Sequence, residues 1–164
     1  METDEDLKAR LTRMQYKVTQ EGGTEPPFSG KYDSHFEKGI YNCIICGSLL
    51  FKSEHKYECG CGWPGFWEKD GDIKFIKDYS FGMARTEVQC NKCNSHLGHV
   101  FNDGPEPTGL RYCINSASLN FVGSKVKNGG KFKTVKPNDA VKGPASRGFS
   151  TLQRSFMLLR RIRV

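Results

Sequence analysis

Residues 86–121 read TEVQCNKCNSHLGHVFNDGPEPTGLRYCINSASLNF. Three short extended runs lie in this stretch, Thr86–Cys90, His99–Asn102 and Leu110–Phe121, parted by polar and Gly/Pro clusters that favour turns. Upstream, Ile40–Cys43, Leu49–Phe51 and Ile73–Ser80 repeat the pattern. Short strands at this spacing predict a mainly β domain with antiparallel pairing. Ahead of them, Leu7, Leu11 and Met14 fall at helical spacing and predict one short amphipathic helix over residues 5–14, with Thr3 and Asp6 as a capping box. The Gly-, Pro- and Ser-rich segment 21–39 is expected to be irregular and to hug the surface.

The chain has 164 residues, 37% of them hydrophobic and 26% charged, enough for one domain with a real core. No run approaches the roughly 18 apolar residues of a membrane span. The start, METDEDL, is acidic and carries no presequence signal, so a cytoplasmic location is expected, with the mitochondrion as the alternative. The net charge of +7 belongs to one end. Residues 1–38 carry 6 basic and 8 acidic side chains and residues 39–123 carry 8 and 9, whereas residues 124–164 carry 11 and 1. A nucleic-acid-binding core, which needs Lys and Arg on its own face, is therefore not expected. We divide the chain into a domain over 1–125 and a basic C-terminal extension over 126–164, expected to be mobile and solvated. Read as a helix, residues 147–164 would set Leu152, Phe156 and Leu159 against Arg154 and Arg161, and contact with an anionic membrane is the lesser reading.

Seven cysteines carry the strongest signal: Cys43, Cys46, Cys59, Cys61, Cys90, Cys93 and Cys113. An odd count without a secretory signal argues against a disulfide framework. Cys43–Cys46 and Cys90–Cys93 are two C-x-x-C knuckles, and together they offer a tetrahedral four-sulfur shell suited to one structural Zn²⁺. The 43 residues between the knuckles mean that the metal joins distant segments rather than building a small finger. A thioredoxin-type dithiol would need a βαβ context, which the pattern lacks. His96 and His99 follow Cys93 closely and are the competing ligands. A four-sulfur site is closed, so the metal is expected to be scaffold.

Cys59, Cys61 and Cys113 remain. On a strand, Arg111, Cys113 and Asn115 share one face, with Tyr112 and Ile114 on the other. A guanidinium beside a thiol favours the thiolate, which makes Cys113 the candidate nucleophile rather than a buried packing residue. His96 and His99 are candidate acid/base groups. Asp103 either orients one of them or opens the Asp103-Gly104-Pro105 turn, the latter being the favoured reading. The loop Gly60-Cys61-Gly62-Trp63-Pro64-Gly65-Phe66-Trp67 pairs permissive glycines with indole faces and suggests a pocket wall.

Gly60-Cys61-Gly62-Trp63-Pro64, RTEVQCNKC, HLGHVFNDGPEPTG and RYCINSASLNF together resemble the B-type methionine sulfoxide reductases, from about Leu11 to Phe121. The resemblance implies a β-tent-like fold of two antiparallel sheets held by structural zinc, and reduction of the R epimer of methionine sulfoxide, peptide-bound or free. It implies Cys113 as nucleophile, His96, His99 and Asn115 at the sulfoxide oxygen, and Arg111 supporting the thiolate. Trp63 would receive the substrate methyl, with Phe66 beside it, and Cys61 would be the resolving thiol. The implied cycle passes from a Cys113 sulfenic acid to an intramolecular disulfide reset by thioredoxin or a similar dithiol. A monomer acting on oxidised proteins is expected. Cys59 stands where the family usually has Ser, so it rivals Cys61 as resolving thiol, and Gly65 replaces the usual Ser of Trp-Pro-Ser-Phe. A zinc-scaffolded binding module without turnover is the alternative function; its signature would be a missing nucleophile.

Overall fold

The computed structural model of the chain describes residues 2–124. The expectations for residues 126–164, including the basic helix and its membrane contact, lie outside the described residues.

Two helices open the chain, α1 (Asp4–Arg10) and α2 (Arg13–Glu21). The capping box at Thr3 and Asp6 is present. The single helix expected over 5–14 is broken at Leu11, whose backbone is extended (φ −93°, ψ 148°). A second reciprocal cap causes the break: Thr12 Oγ1 accepts from Gln15 N at 3.2 Å and Gln15 Oε1 accepts from Thr12 N at 2.9 Å. That box satisfies donors which a continuous helix would have paired internally.

Nine strands follow among the described residues: β1 (Gly39–Cys43), β2 (Leu49–Lys52), β3 (Lys56–Tyr57), β4 (Gly65–Phe66), β5 (Ile73–Asp78), β6 (Arg85–Cys90), β7 (His96–Phe101), β8 (Arg111–Ile114) and β9 (Leu119–Gly123). They form two antiparallel sheets, one ordered β2-β1-β9 and one ordered β3-β4-β8-β7-β6-β5. The mainly β expectation holds. The run Leu110–Phe121 is not one strand, however. It leaves the large sheet at Ile114, turns through a 3₁₀ segment at Ser116–Ser118 and enters the small sheet as β9. The Asn-Ser-Ala-Ser stretch makes that corner because short polar side chains bond nearby backbone: Ser118 Oγ donates to Asn115 O at 2.7 Å. Tyr41, Leu50, Phe51, Phe66, Val88, Leu97, Tyr112, Ile114 and Leu119 form a core fed by both sheets.

The two knuckles are the turns of two hairpins with one geometry. In β1–β2, Cys43 N donates to Ser48 O (2.8 Å) and Gly47 N to Cys43 O (2.9 Å). In β6–β7, Cys90 N donates to Ser95 O (3.0 Å) and Asn94 N to Cys90 O (2.9 Å). Gly47 (φ 71°) and Asn94 (φ 64°) occupy the same left-handed position, which Gly and Asn tolerate best. The four sulfurs thus converge from a strand of each sheet.

Candidate active site

The four convergent sulfurs lie within 4.8 Å of one another, with Cys43–Cys93 and Cys46–Cys90 contacts of 3.6 Å. A tetrahedron of Zn–S bonds near 2.3 Å has edges of roughly 3.8 Å, so the donor set fits a metal ion of that kind. Ser48 Oγ and Ser95 Oγ lie 3.3 and 3.1 Å from the Cys46 and Cys93 sulfurs, where a hydroxyl can support a ligating thiolate. His96 and His99 are engaged with carboxylates away from this cluster.

Cys113 sits near the centre of the large sheet, on β8 between β4 and β7. Its cross-strand neighbours are Gly65 on one side and His99 on the other. Directly paired residues share a face, so the thiol and the imidazole are brought together by register. The pairing of β4 with β8, and Ile114 N donating to Pro64 O (3.0 Å), lay the 59–64 loop over Cys113. Cys61 Sγ is 3.8 Å from Cys113 Sγ. Gly60 (φ 65°) and Gly62 (φ 89°) give the loop the left-handed turns that carry Cys61 inward. Cys59 and Cys61 are joined by a disulfide, with Cα atoms 5.3 Å apart, and Cys113 is free.

The imidazoles differ. His96 is buried; its Nδ1 lies 2.6 Å from Glu87 Oε1, and its Nε2 has no partner among the described residues. His99 is half-buried, and its Nε2 lies 2.8 Å from Asp78 Oδ2. Hydrogen bonds from Ser80 and His99, helped by Arg85, hold the Asp78 carboxyl far below the usual carboxylate range, so it accepts and His99 Nε2–H donates. Burial pulls His99 below its ordinary value, the Asp78 bond notwithstanding. His99 is thus a neutral imidazole with Nδ1 as its acceptor.

Several expectations are refined here. The Cys113 thiol is not lowered but pushed up to about 11, because burial outweighs the Arg111 guanidinium. Arg111 is itself occupied. Its Nε and Nη2 donate to Asp103 Oδ1 and Oδ2 at 2.8 and 2.9 Å, and it stacks on Phe101 at 4.4 Å. Asp103 therefore pairs with Arg111, not with a histidine. Asn115 lies past the end of β8 with both polar ends committed: Oδ1 accepts from Glu25 N (3.0 Å) and Nδ2 donates to Leu97 O (2.9 Å). Phe66, expected beside the pocket, is fully buried and stacks on Phe51 at 4.3 Å. It pairs with Tyr112, whose side chain faces the core rather than the Cys113 side.

The match with known proteins covers most of the described domain: the SelR domain model matches residues 11–123. Similar curated proteins, each called peptide methionine sulfoxide reductase MsrB, come from Thioalkalivibrio sulfidiphilus (58% identical over 73% of this chain and 88% of its own length), Burkholderia pseudomallei (57%, 72% and 85%) and Escherichia coli (55%, 72% and 88%). The chain belongs to the MsrB family.

Sequence reasoning passed over four residues of this MsrB-family site: Glu25, Asp78, Arg85 and Glu87. Asp78 and Glu87 hold the two histidines, and Arg85 Nη2 donates to Asp78 at 2.9 Å. The strand register Glu87↔His99 would have been the clue, had the β6–β7 hairpin been aligned in advance. Glu25 carries no local signal. Its carboxylate accepts from Ser116 N (2.6 Å) and Ala117 N (2.9 Å), its carbonyl accepts from Trp63 Nε1 (3.0 Å), and its N–H reaches Asn115. One residue of the irregular segment thus fixes Trp63, Asn115 and the corner after β8.

Proposed function

We propose that the chain reduces the R epimer of methionine sulfoxide, chiefly within oxidised proteins, to methionine. The 3.8 Å approach of Cys61 Sγ to a free Cys113 Sγ, directly opposite a neutral His99, is the observation that carries this reading. Sulfoxide needs a nucleophile at sulfur, a proton at oxygen and an apolar wall at methyl. Trp63, fixed through its indole N–H, supplies the wall. We assign the polar oxygen to His96, whose buried Nε2 has no partner among the described residues.

The raised Cys113 thiol requires a base, and His99 Nδ1 is the acceptor opposite it. Attack on the sulfoxide sulfur breaks the S–O bond, frees methionine and leaves Cys113 as a sulfenic acid; the thiol proton ends on the transferred oxygen. Cys61 then attacks the Cys113 sulfur, expelling water and forming a disulfide that an external dithiol such as thioredoxin reduces. Zn²⁺ held by Cys43, Cys46, Cys90 and Cys93 would bind the two sheets together and take no part in the chemistry. We place the protein as a monomer in a compartment that keeps thiols reduced, the cytoplasm being the simplest.

The test is methionine release measured separately on R and S sulfoxides of a short peptide. The R epimer should turn over and the S epimer should not, and Cys113→Ser should abolish release. Equal turnover of both epimers, or an active Cys113→Ser variant, would sink the assignment.

A further inference from the structure

Cys61 touches two sulfurs, one in front of the site and one behind it. Cys113 lies 3.8 Å away and Cys59 is bonded to it. The open side of this triad is a groove of about 520 Å³ lined by Tyr57, Glu58, Cys59, Cys61, Asp103 and Arg111, and Cys113 is absent from its wall. Space for Cys59 comes from its neighbour across the loop. A Cβ on Gly65 would stand 2.9 Å from Cys59 Sγ and 3.1 Å from Cys59 Cβ, so the glycine and the second thiol are structurally matched. These are also the two positions in the loop where the chain departs from the pattern expected of it.

Resting on the reductase reading above, we propose that Cys59 is a second resolving thiol, and that the disulfide presented to the external dithiol is Cys59–Cys61 rather than Cys61–Cys113. The steps balance. Cys61 thiol and Cys113 sulfenic acid form the Cys61–Cys113 disulfide and water. Cys59 thiolate then attacks Cys61 Sγ; the Cys59–Cys61 bond forms, the Cys61–Cys113 bond breaks, and the leaving Cys113 sulfur takes up a proton. No further oxidant is consumed. The oxidising equivalent moves outward to the groove, and Cys113 returns to the free thiol found in the structure.

Stoichiometry without reductant reads this directly. After one relay Cys113 can attack a second sulfoxide and stop as a sulfenic acid, so the fully reduced native chain should release about two methionines. Cys59→Ser should release about one, because Cys113 stays locked to Cys61. Peptide mapping after one equivalent of sulfoxide should find Cys59–Cys61 in the native chain and Cys61–Cys113 in Cys59→Ser. One methionine from the native chain with Cys61–Cys113 as the mapped disulfide, or two from Cys59→Ser, would overturn the relay. No methionine from either would refute the reductase reading instead. Gly65→Ala, which crowds Cys59 without removing it, should lower native release from two towards one; undiminished release of two would contradict the matched pair.

Discussion

At Cys113 burial and the Arg111 guanidinium pull the thiol in opposite directions, and the value near 11 shows which prevails. Arg111 gives both arms of its fork to Asp103, whose negative charge partly offsets its pull on the sulfur. In a Cys59→Ser/Cys61→Ser background, alkylation of Cys113 by iodoacetamide should therefore keep accelerating up to a pH of about 11. A plateau near 7 would contradict the burial argument. The folded chain holds this proton longer than the unfolded chain does. The resulting stability is complete below the unfolded thiol value and is lost as pH rises from roughly 8.5 towards 11. His99 runs the other way. Its neutral form is favoured by burial, so its contribution is complete above roughly pH 6.5 and fades as pH falls. Because Asp78 raises His99 against that burial, Asp78→Asn should move the His99 imidazole titration, followed by NMR, further into acid. A shift towards alkaline pH would refute the assigned pairing.

Strand register does what no single side chain could. His99 faces Cys113 only because β7 and β8 meet at Gly98↔Ile114, and the two backbones come close there. A Cβ on Gly98 would stand 2.1 Å from the Cys113 carbonyl oxygen, with no flexible atom to yield. Gly98→Ala should cost about 2–3 kcal/mol in denaturant unfolding and depress turnover with it; a variant of native stability would show that the strands can part freely. Glu25 is the other joint. Glu25→Ala should leave zinc content intact yet cut kcat/KM, since Ser116 N and Ala117 N lose the carboxylate that ties the corner after β8 to the backbone holding Trp63 and Asn115; unchanged kcat/KM would remove Glu25 from the positioning role. Much of this level was legible in the chain. Five of the six extended runs fall on strands, the sixth splits after Ile114 into β8 and β9, both knuckles lie at turns, and Cys113 has Cys61 beside it and His99 across the ladder. What escaped depends on pairing. Phe66 sits in a two-residue strand whose face only β8 decides, and Glu25 acts across about 90 residues. The break at Leu11 was readable in principle, because Thr12 and Gln15 spell the same capping pattern as Thr3 and Asp6.

For the whole domain, the four-cysteine cluster is the one group among the described residues that could hold a metal ion, and its thiols come from turns of both sheets. If it holds zinc, binding free energy is folding free energy, and stripping the metal should loosen one sheet against the other. A chelator, or Cys90→Ser, should remove about 3 kcal/mol or more. For a domain of this size that is on the order of 10 °C in Tm. A metal-free chain melting at the native temperature would show the cluster to be dispensable. The same arrangement turns the metal into a clock. Each hairpin closes over a handful of residues, a process of about 1–10 μs in isolation, and each offers only half a coordination sphere. The full tetrathiolate exists only once the chain between them has brought the two turns together. Cobalt(II) supplied during refolding would consequently colour late, and the delay between its first binding and its final charge-transfer band times the docking of one sheet onto the other.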